Sequence, residues 1–385
     1  MRRLFAILLS ALPLAACETT SAAFRFSADD PVEGAFSDAL FQSAAVRLTP
    51  GHRVELVNNG ALFDRLAQEV SRAKRSINIA LFIWQPGTPS TRMVNAVTAR
   101  AKAGVTCRVV VDAVASTAFD AEVRPALVAA GCDVRAFRPL TKGVSVDRNH
   151  RQIVVIDGKV GFTGGFGIAD VWMGEGRKPG EWLESNVIVE GPAVNQLQQA
   201  FADDWKEVAG PQLPRSEFPT SPRRGPTRAA FISSRASNYV RKAEHLNQLL
   251  ISSATKRVWI ANADFVPSPG LVDLMIEKER QGVDVRIMVP GDQTDHPEVL
   301  LDQRASYARL LEGGVRIWEY QSAQLHSKTM VVDDQLSVVG SISLDRLARP
   351  AIEEGALLMS DPHVASQLMR AWEEDQTQCV LVSEE

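Results

Sequence analysis

The chain has 385 residues, 45% of them hydrophobic, a formal net charge of −4 and few aromatic residues. That length can bury a core for two domains or two fused halves. The mildly acidic balance argues against broad nucleic-acid binding, which calls for a basic face, though not against a local basic groove.

The first element is "MRRLFAILLSALPLAAC" (1–17), with two arginines, an apolar stretch too short to span a bilayer comfortably, and small residues before Cys17. This composition reads as an export leader. "LAAC" (Leu14–Cys17) resembles a bacterial lipobox, in which the cysteine becomes the lipid-modified new N-terminus; a plain secretory leader cut near Ala16 is the alternative. Acyl chains on Cys17 would hold the protein at the periplasmic face of a bacterial membrane, not through it. Nothing later in the chain is long and apolar enough for a transmembrane helix. Residues 18–48 carry one short helical pattern, around "AFSDALFQSAAV", and read as a tether and cap.

From residue 49 the same order of elements runs twice, over 49–208 and 231–385. The first half reads "LFDRLAQEVSRAKRSINIALFIW", "MVNAVTARAKAGVTCRVVVD", "PALVAAGCDVRAFRP", then "NHRQIVVIDGKVGFTGG". The second reads "HLNQLLISSATKRVWIANADFVP", "LVDLMIEKERQGVDVRIMVP", "YARLLEGGVRIWEY", then "LHSKTMVVDDQLSVVGS". Helical apolar spacing alternates with short β-branched runs, which predicts α/β units with mixed, mostly parallel sheets flanked by helices. Between the halves, residues 209–230 are rich in Pro, Arg and Ser and lack periodicity, so they form the linker.

Of the four cysteines, Cys107 and Cys132 open two neighbouring strands. A bridge would need them in register. Aligning the strands offsets them by about two residues, beyond the usual Cα limit of roughly 7 Å, so free buried thiols are expected. No CxxC pair or His/Cys cluster points to a metal.

The chemistry sits at the ends of the repeat. One half gives His150-x-Gln152-x-x-x-x-Asp157 and the other His326-x-Lys328-x-x-x-x-Asp333. Residues i and i+2 of a strand share a face, so His326 and Lys328 project together. Each motif leads into a small-residue turn, "TGG" ending at Gly165 and "VGS" ending at Ser341, where donors can approach an anion closely.

Duplicated motifs of this form resemble the phospholipase D superfamily. The stretches "HRVELVNNGALFDRLAQEVSRAKRSINIALFIW" and "NVIVEGPAVNQLQQAFADDW" are similar to its bacterial cardiolipin synthase branch. The resemblance implies two phospholipase D-like α/β/α sandwich halves related by a pseudo-twofold axis, with both histidines at one cleft in a single chain. It also implies a phospholipid substrate at a membrane surface and no metal or cofactor. One histidine attacks phosphorus to form a phosphohistidine, while the other protonates the departing alcohol and then activates the acceptor. The residues do not decide which attacks; in relatives the first-half histidine often does, which would make His150 the nucleophile and His326 the acid/base. By the same resemblance Asp157 and Asp333 support the motifs. Glu354, in "AIEEGALLMSD", matches a carboxylate that orients the opposite histidine, and Glu184 is its looser first-half counterpart.

The pattern departs from the family at Gln152, which replaces a lysine, and at Gly167 and Ser343, which stand where asparagine is usual. Gln152, Gly165, Ser341 and Ser343 are expected around the phosphate. A lost charge-assisted contact costs about 1.5–3 kcal/mol, or roughly 10–150-fold in rate, which weakens catalysis without abolishing it. The leading reading is cardiolipin synthesis from phosphatidylglycerol. Phospholipid hydrolysis by a secreted enzyme, a binding-only homologue and, least favoured, a nuclease are the competitors. His52, His245, His296 and His363 have no duplicate and read as surface or capping residues; Trp84, Trp182 and Trp205 read as core or cleft wall.

Overall fold

The computed structural model describes residues 34–139, 148–234, 242–345 and 352–383. Cys17 lies outside them. No helix among the described residues is long and apolar enough to cross a membrane.

Both halves share one continuous sixteen-stranded sheet. The halves meet where Thr49–Asn58 pairs antiparallel with Thr227–Ser234, through Thr49↔Ala229 and His52↔Thr227. These two strands, one opening each half, were not resolved by the sequence reading, and the second begins inside the expected linker. Among the described residues, parallel pairing in this sheet joins three strands per half, Ser76–Leu81, Thr106–Asp112 and Asp133–Phe137 in the first and Arg257–Asn262, Asp284–Pro290 and Arg316–Tyr320 in the second, and adds one short pairing of Arg148–Asn149 with Ile352–Ser360. The remaining neighbours are antiparallel, two of them hairpins in which a tight turn joins the motif strand to the next. The sheet is therefore mixed as expected, but less parallel than the alternation of helix and strand suggested.

Three of the four apolar clusters among the described residues hold the layers. One packs the first half's helices Ala61–Ser71 and Thr88–Lys102 onto its strands. Another does the same in the second half and takes in Phe36, Leu40 and Ala44 of the helix Ala35–Ala44, so the N-terminal cap covers the second half. The third joins the halves: Leu197, Phe201 and Trp205 of the helix Val194–Ala209 share it with Phe231, Leu357, Val364 and Leu368. Ser268 and Asp361 cap the helices Pro269–Arg280 and Pro362–Gln376 in the second half, each followed by a proline whose missing N–H costs nothing at that position.

Two expectations fail here. Cys107 and Cys132 form a disulfide, with Cα atoms 4.7 Å apart. The parallel register pairs Arg108 with Asp133, which brings the preceding cysteines opposite each other and removes the presumed offset. His52 is fully buried; its Nδ1 lies 3.1 Å from the Thr227 carbonyl and its Nε2 accepts from the Ala193 N–H at 2.9 Å. The linker is also less free than its composition implied, since buried Glu217 accepts from Ser76 Oγ at 2.6 Å and pairs with Arg108 at 2.9 Å.

Candidate active site

Each motif histidine precedes a strand of the sheet, Ile153–Ile156 or Lys328–Val332, near the end where the neighbouring parallel strands finish. The rings meet: His150 and His326 line one cavity of about 590 Å³, together with Gln152, Gly165, Gly167, Ser343 and Glu354.

Each ring faces a glutamate from the other half. His326 Nδ1 lies 2.5 Å from Glu184 Oε2, and His150 Nδ1 lies 3.7 Å from Glu354 Oε1. Glu184 also accepts from Trp172 Nε1 at 3.3 Å and from the Ser185 N–H at 3.1 Å. Burial pushes its carboxyl up to about 8. Burial, and then the charge of Lys328, holds His326 well below the ordinary histidine value. At 2.5 Å a single proton fits between the two groups. Burial likewise raises Glu354, with His150 opposing it.

Lys328 is buried, with Nζ 3.2 Å from His326 Nε2 and 2.9 Å from the His326 carbonyl. An ammonium can only donate, so Nε2 is the acceptor and the ring proton belongs on Nδ1, toward Glu184. Gln152 reproduces half of this arrangement. Its Nε2 donates to the His150 carbonyl at 3.1 Å, while its Oε1 accepts from the Phe82 N–H at 3.1 Å. Most of its capacity is thus spent on the backbone, leaving one N–H for a substrate.

Two glycines make room for these contacts. A Cβ on Gly165 would stand 2.6 Å from the Glu184 carboxylate, and one on Gly167 would stand 2.7 Å from the Trp172 ring. The absent side chain at 167 is therefore matched by an indole that fills its space.

The other expected residues lie elsewhere. Asp157 accepts from the Lys74, Arg75 and Ser76 backbone N–H groups, and Asp333 from those of Thr255, Lys256 and Arg257, so both anchor the turns entering neighbouring strands. Both adopt positive φ, 56° and 51°, in the turn after the motif strand, and neither lines the cavity. Both grip the scaffold at the end of the motif away from the cavity. Ser341 is fully buried, does not line the cavity, and is locked to Gly355, whose N–H it receives at 3.0 Å. Its hydroxyl serves the strand pairing beneath the site.

Trp182, read from the sequence as core or cleft wall, stands in the wall with Trp172 and Phe82, for which the sequence offered no signal. Trp172 and Trp182 pack on His326 with ring centroids 5.6 and 4.6 Å away, and Phe82 meets His150 edge-on at 4.9 Å. The second-half rim is acidic, with Asp264, Asp295 and Glu298. His296, exposed as expected, sits among them. Burial works against its charge, but Asp295 at 3.4 Å and Glu298 at 3.1 Å outweigh that and raise it. It does precede the helix Pro297–Ala305, but its side chain caps nothing. Trp84 is core, donating to Ser90 Oγ at 2.8 Å.

A family model described as "Cardiolipin synthase, PLD-like domain" matches residues 66–205 and 249–376, one match in each half. Cardiolipin synthase of Staphylococcus aureus (strain Mu50) is 30% identical over 344 residues, covering 87% of this chain and 69% of its own length. Cardiolipin synthase of Geobacillus kaustophilus is 30% identical over 298 residues, covering 75% of this chain. The match spans only 59% of that relative's length, less than two thirds. Among solved structures, phosphatidylserine synthase of Haemophilus influenzae superposes with a TM-score of 0.69 over 90% of this chain and 92% of its own, at 14% identity, a likeness of fold.

Proposed function

The chain belongs to the cardiolipin synthase, phospholipase D-like domain family, and on that premise we propose that it is a phosphatidyltransferase working through a phosphohistidine. One observation carries the reading: two histidines, each set against a glutamate from the opposite half, face a single cavity. Cardiolipin synthesis from phosphatidylglycerol is the leading reaction.

His326 attacks in this scheme, which reverses the assignment expected from relatives. Its Nε2 carries the lone pair, Glu184 orients the ring, and the buried setting keeps it unprotonated. As Nε2 bonds to phosphorus, the bond to the headgroup oxygen breaks and His150 gives that oxygen a proton. The more open His150 then takes a proton from the incoming hydroxyl, whose oxygen displaces His326. A lipid alcohol yields the transfer product and water yields phosphatidic acid. Lys328, released from Nε2, meets the charge on the phosphoryl oxygens, with Gln152 and Ser343 as neutral donors.

The acidic rim weighs against a nucleic-acid substrate, which calls for basic contacts. The Cys107–Cys132 disulfide suits an oxidising compartment and agrees with export on the leader, anchored through Cys17 or secreted. One chain supplies both halves of the site, so a monomer suffices.

Incubating the protein with phosphatidylglycerol vesicles, with and without added alcohol, tests the reading by mass spectrometry of the lipids. Cardiolipin and released glycerol support transfer. Phosphatidic acid alone indicates hydrolysis, and vesicle binding without turnover indicates the degenerate site that Gln152 otherwise suggests.

A further inference from the structure

Arg151 lies between two residues that line the cavity, yet it is fully buried. It enters the seam between the halves. There its Nη1 stands 2.5 Å from Asp204 Oδ1 and 2.7 Å from Glu353 Oε2, while Nη2 donates to the Ser234 carbonyl at 3.0 Å. Asp204 belongs to the first half; Glu353 and Ser234 belong to the second. Asn149 closes the cluster, donating to Asp204 Oδ2 at 2.8 Å and accepting the Arg151 N–H at 3.0 Å. Arg138 binds the far side of Glu353 at 2.9 Å and is itself held by Glu207 at 2.6 Å.

This cluster touches the His150–Glu354 dyad at both ends. Arg151 follows His150, and Glu353 precedes Glu354. The His150 N–H also donates to the Glu353 carbonyl at 2.8 Å, within a short parallel pairing of Asn149 with Glu353. A buried charge that loses its partner is strongly destabilising, so these groups move together or not at all. The planar guanidinium fork fixes direction as well as distance.

The two dyads differ in what they need. His326 and Glu184 stand 2.5 Å apart and hold each other. Behind them is a neutral contact, Ser327 Oγ to the Leu183 carbonyl at 3.3 Å. His150 and Glu354 are 3.7 Å apart, too long for a hydrogen bond, so their alignment has to come from the backbone that carries them.

We propose that the Arg151–Glu353–Asp204 cluster is the positioning device for His150, aligning it with Glu354 over the cavity and leaving the His326 side untouched. Its kinetic consequence rests on the phosphatidyl-transfer reading; its structural consequence does not.

The test compares Glu353→Gln, Arg151→Lys and Arg151→Met in the full chain. The 15N signals of the His150 ring should shift in Glu353→Gln and Arg151→Met while those of His326 stay in place. The kcat should fall by roughly 10–100-fold at unchanged KM, a part of the 10²–10⁴ that acid–base catalysis supplies. Adduct formation on His326 should continue in both, and Arg151→Lys should recover part of the kcat lost in Arg151→Met. Unchanged His150 signals in folded Glu353→Gln and Arg151→Met, with only a lower Tm, overturn the proposal. A parent protein without turnover would instead sink the functional reading, while the NMR comparison still decides the inference.

Discussion

Nδ1 of His326 lies 2.5 Å from Oε2 of Glu184, a carboxylate delivered by the other half of the chain. Neither residue can be set for chemistry until the two halves have closed on each other, and this contact is the tighter of the two cross-half dyads.

If His326 is the nucleophile, removing the partner acid/base should strand the intermediate. His150→Ala incubated with a phosphatidyl ester of p-nitrophenol, whose leaving group needs no proton, should accumulate a phosphatidyl adduct on the peptide containing His326, identified by mass spectrometry after proteolysis at alkaline pH. An adduct on the His150 peptide of His326→Ala, with none in His150→Ala, would reverse the roles.

Glu184 sets a pH dependence whose sign is fixed by burial. Its carboxyl is pushed up to about 8, so the folded state favours the protonated form. Stability from this group is complete below its ordinary value near 4.3 and is lost as pH rises through about 8. Glu184→Gln should therefore show a flatter Tm between pH 5 and pH 8.5 than the parent, measured by calorimetry in that window. Its turnover should fall by roughly tenfold, since an amide cannot share a proton with His326 Nδ1 as the carboxyl does, a loss of about 1.4 kcal/mol. A Tm that declines as steeply as the parent's would show that Glu184 is not the group responsible.

Gln152→Lys divides two effects that the sequence alone would merge. A lysine adds charge beside the phosphate, which should raise turnover by about tenfold. It cannot accept the Phe82 N–H that Gln152 Oε1 now receives, so stability should drop by about 1–3 kcal/mol. Chemical denaturation and lipid turnover on the same preparation read both. Lower stability with unchanged turnover would leave Gln152 as a strap for the backbone only.

Asp333 should behave as an anchor. Asp333→Ala removes the acceptor of the Thr255, Lys256 and Arg257 N–H groups and should cost about 1.5–3 kcal/mol of stability. The kcat per folded molecule should stay at the parent value. A loss of kcat in protein shown folded by circular dichroism would return Asp333 to the chemistry.

The duplicated motifs were readable because a repeat turns a commonplace residue into a signal. Asp157 alone is a turn residue, but with Asp333 at the same spacing it marks the motif strand and the turn after it. What the repeat could not say is which end of each motif faces the cavity. The aspartates support the motifs from the end away from the cavity, by accepting backbone N–H groups of a neighbouring strand. Glu184, only a loose match to Glu354, turned out to make the shorter dyad, because nothing in a linear pattern records distance across the seam. The Cys107–Cys132 bridge was missed for a related reason: parallel register is set by the sheet, and a two-residue error separates a bond from two free thiols. Trp172, Asp295 and His296 come from loops without periodicity or a duplicate, so only their folded positions reveal them.

Asp157 and Asp333 grip the scaffold from one end of each motif while His150 and His326 work at the other. Stability and reactivity are thereby insulated from each other within a single short segment. A chain built this way can trade its lysine for glutamine, retune its acid or even silence a ring while the sheet stays assembled. New substrates can be tried on this frame without first rebuilding it.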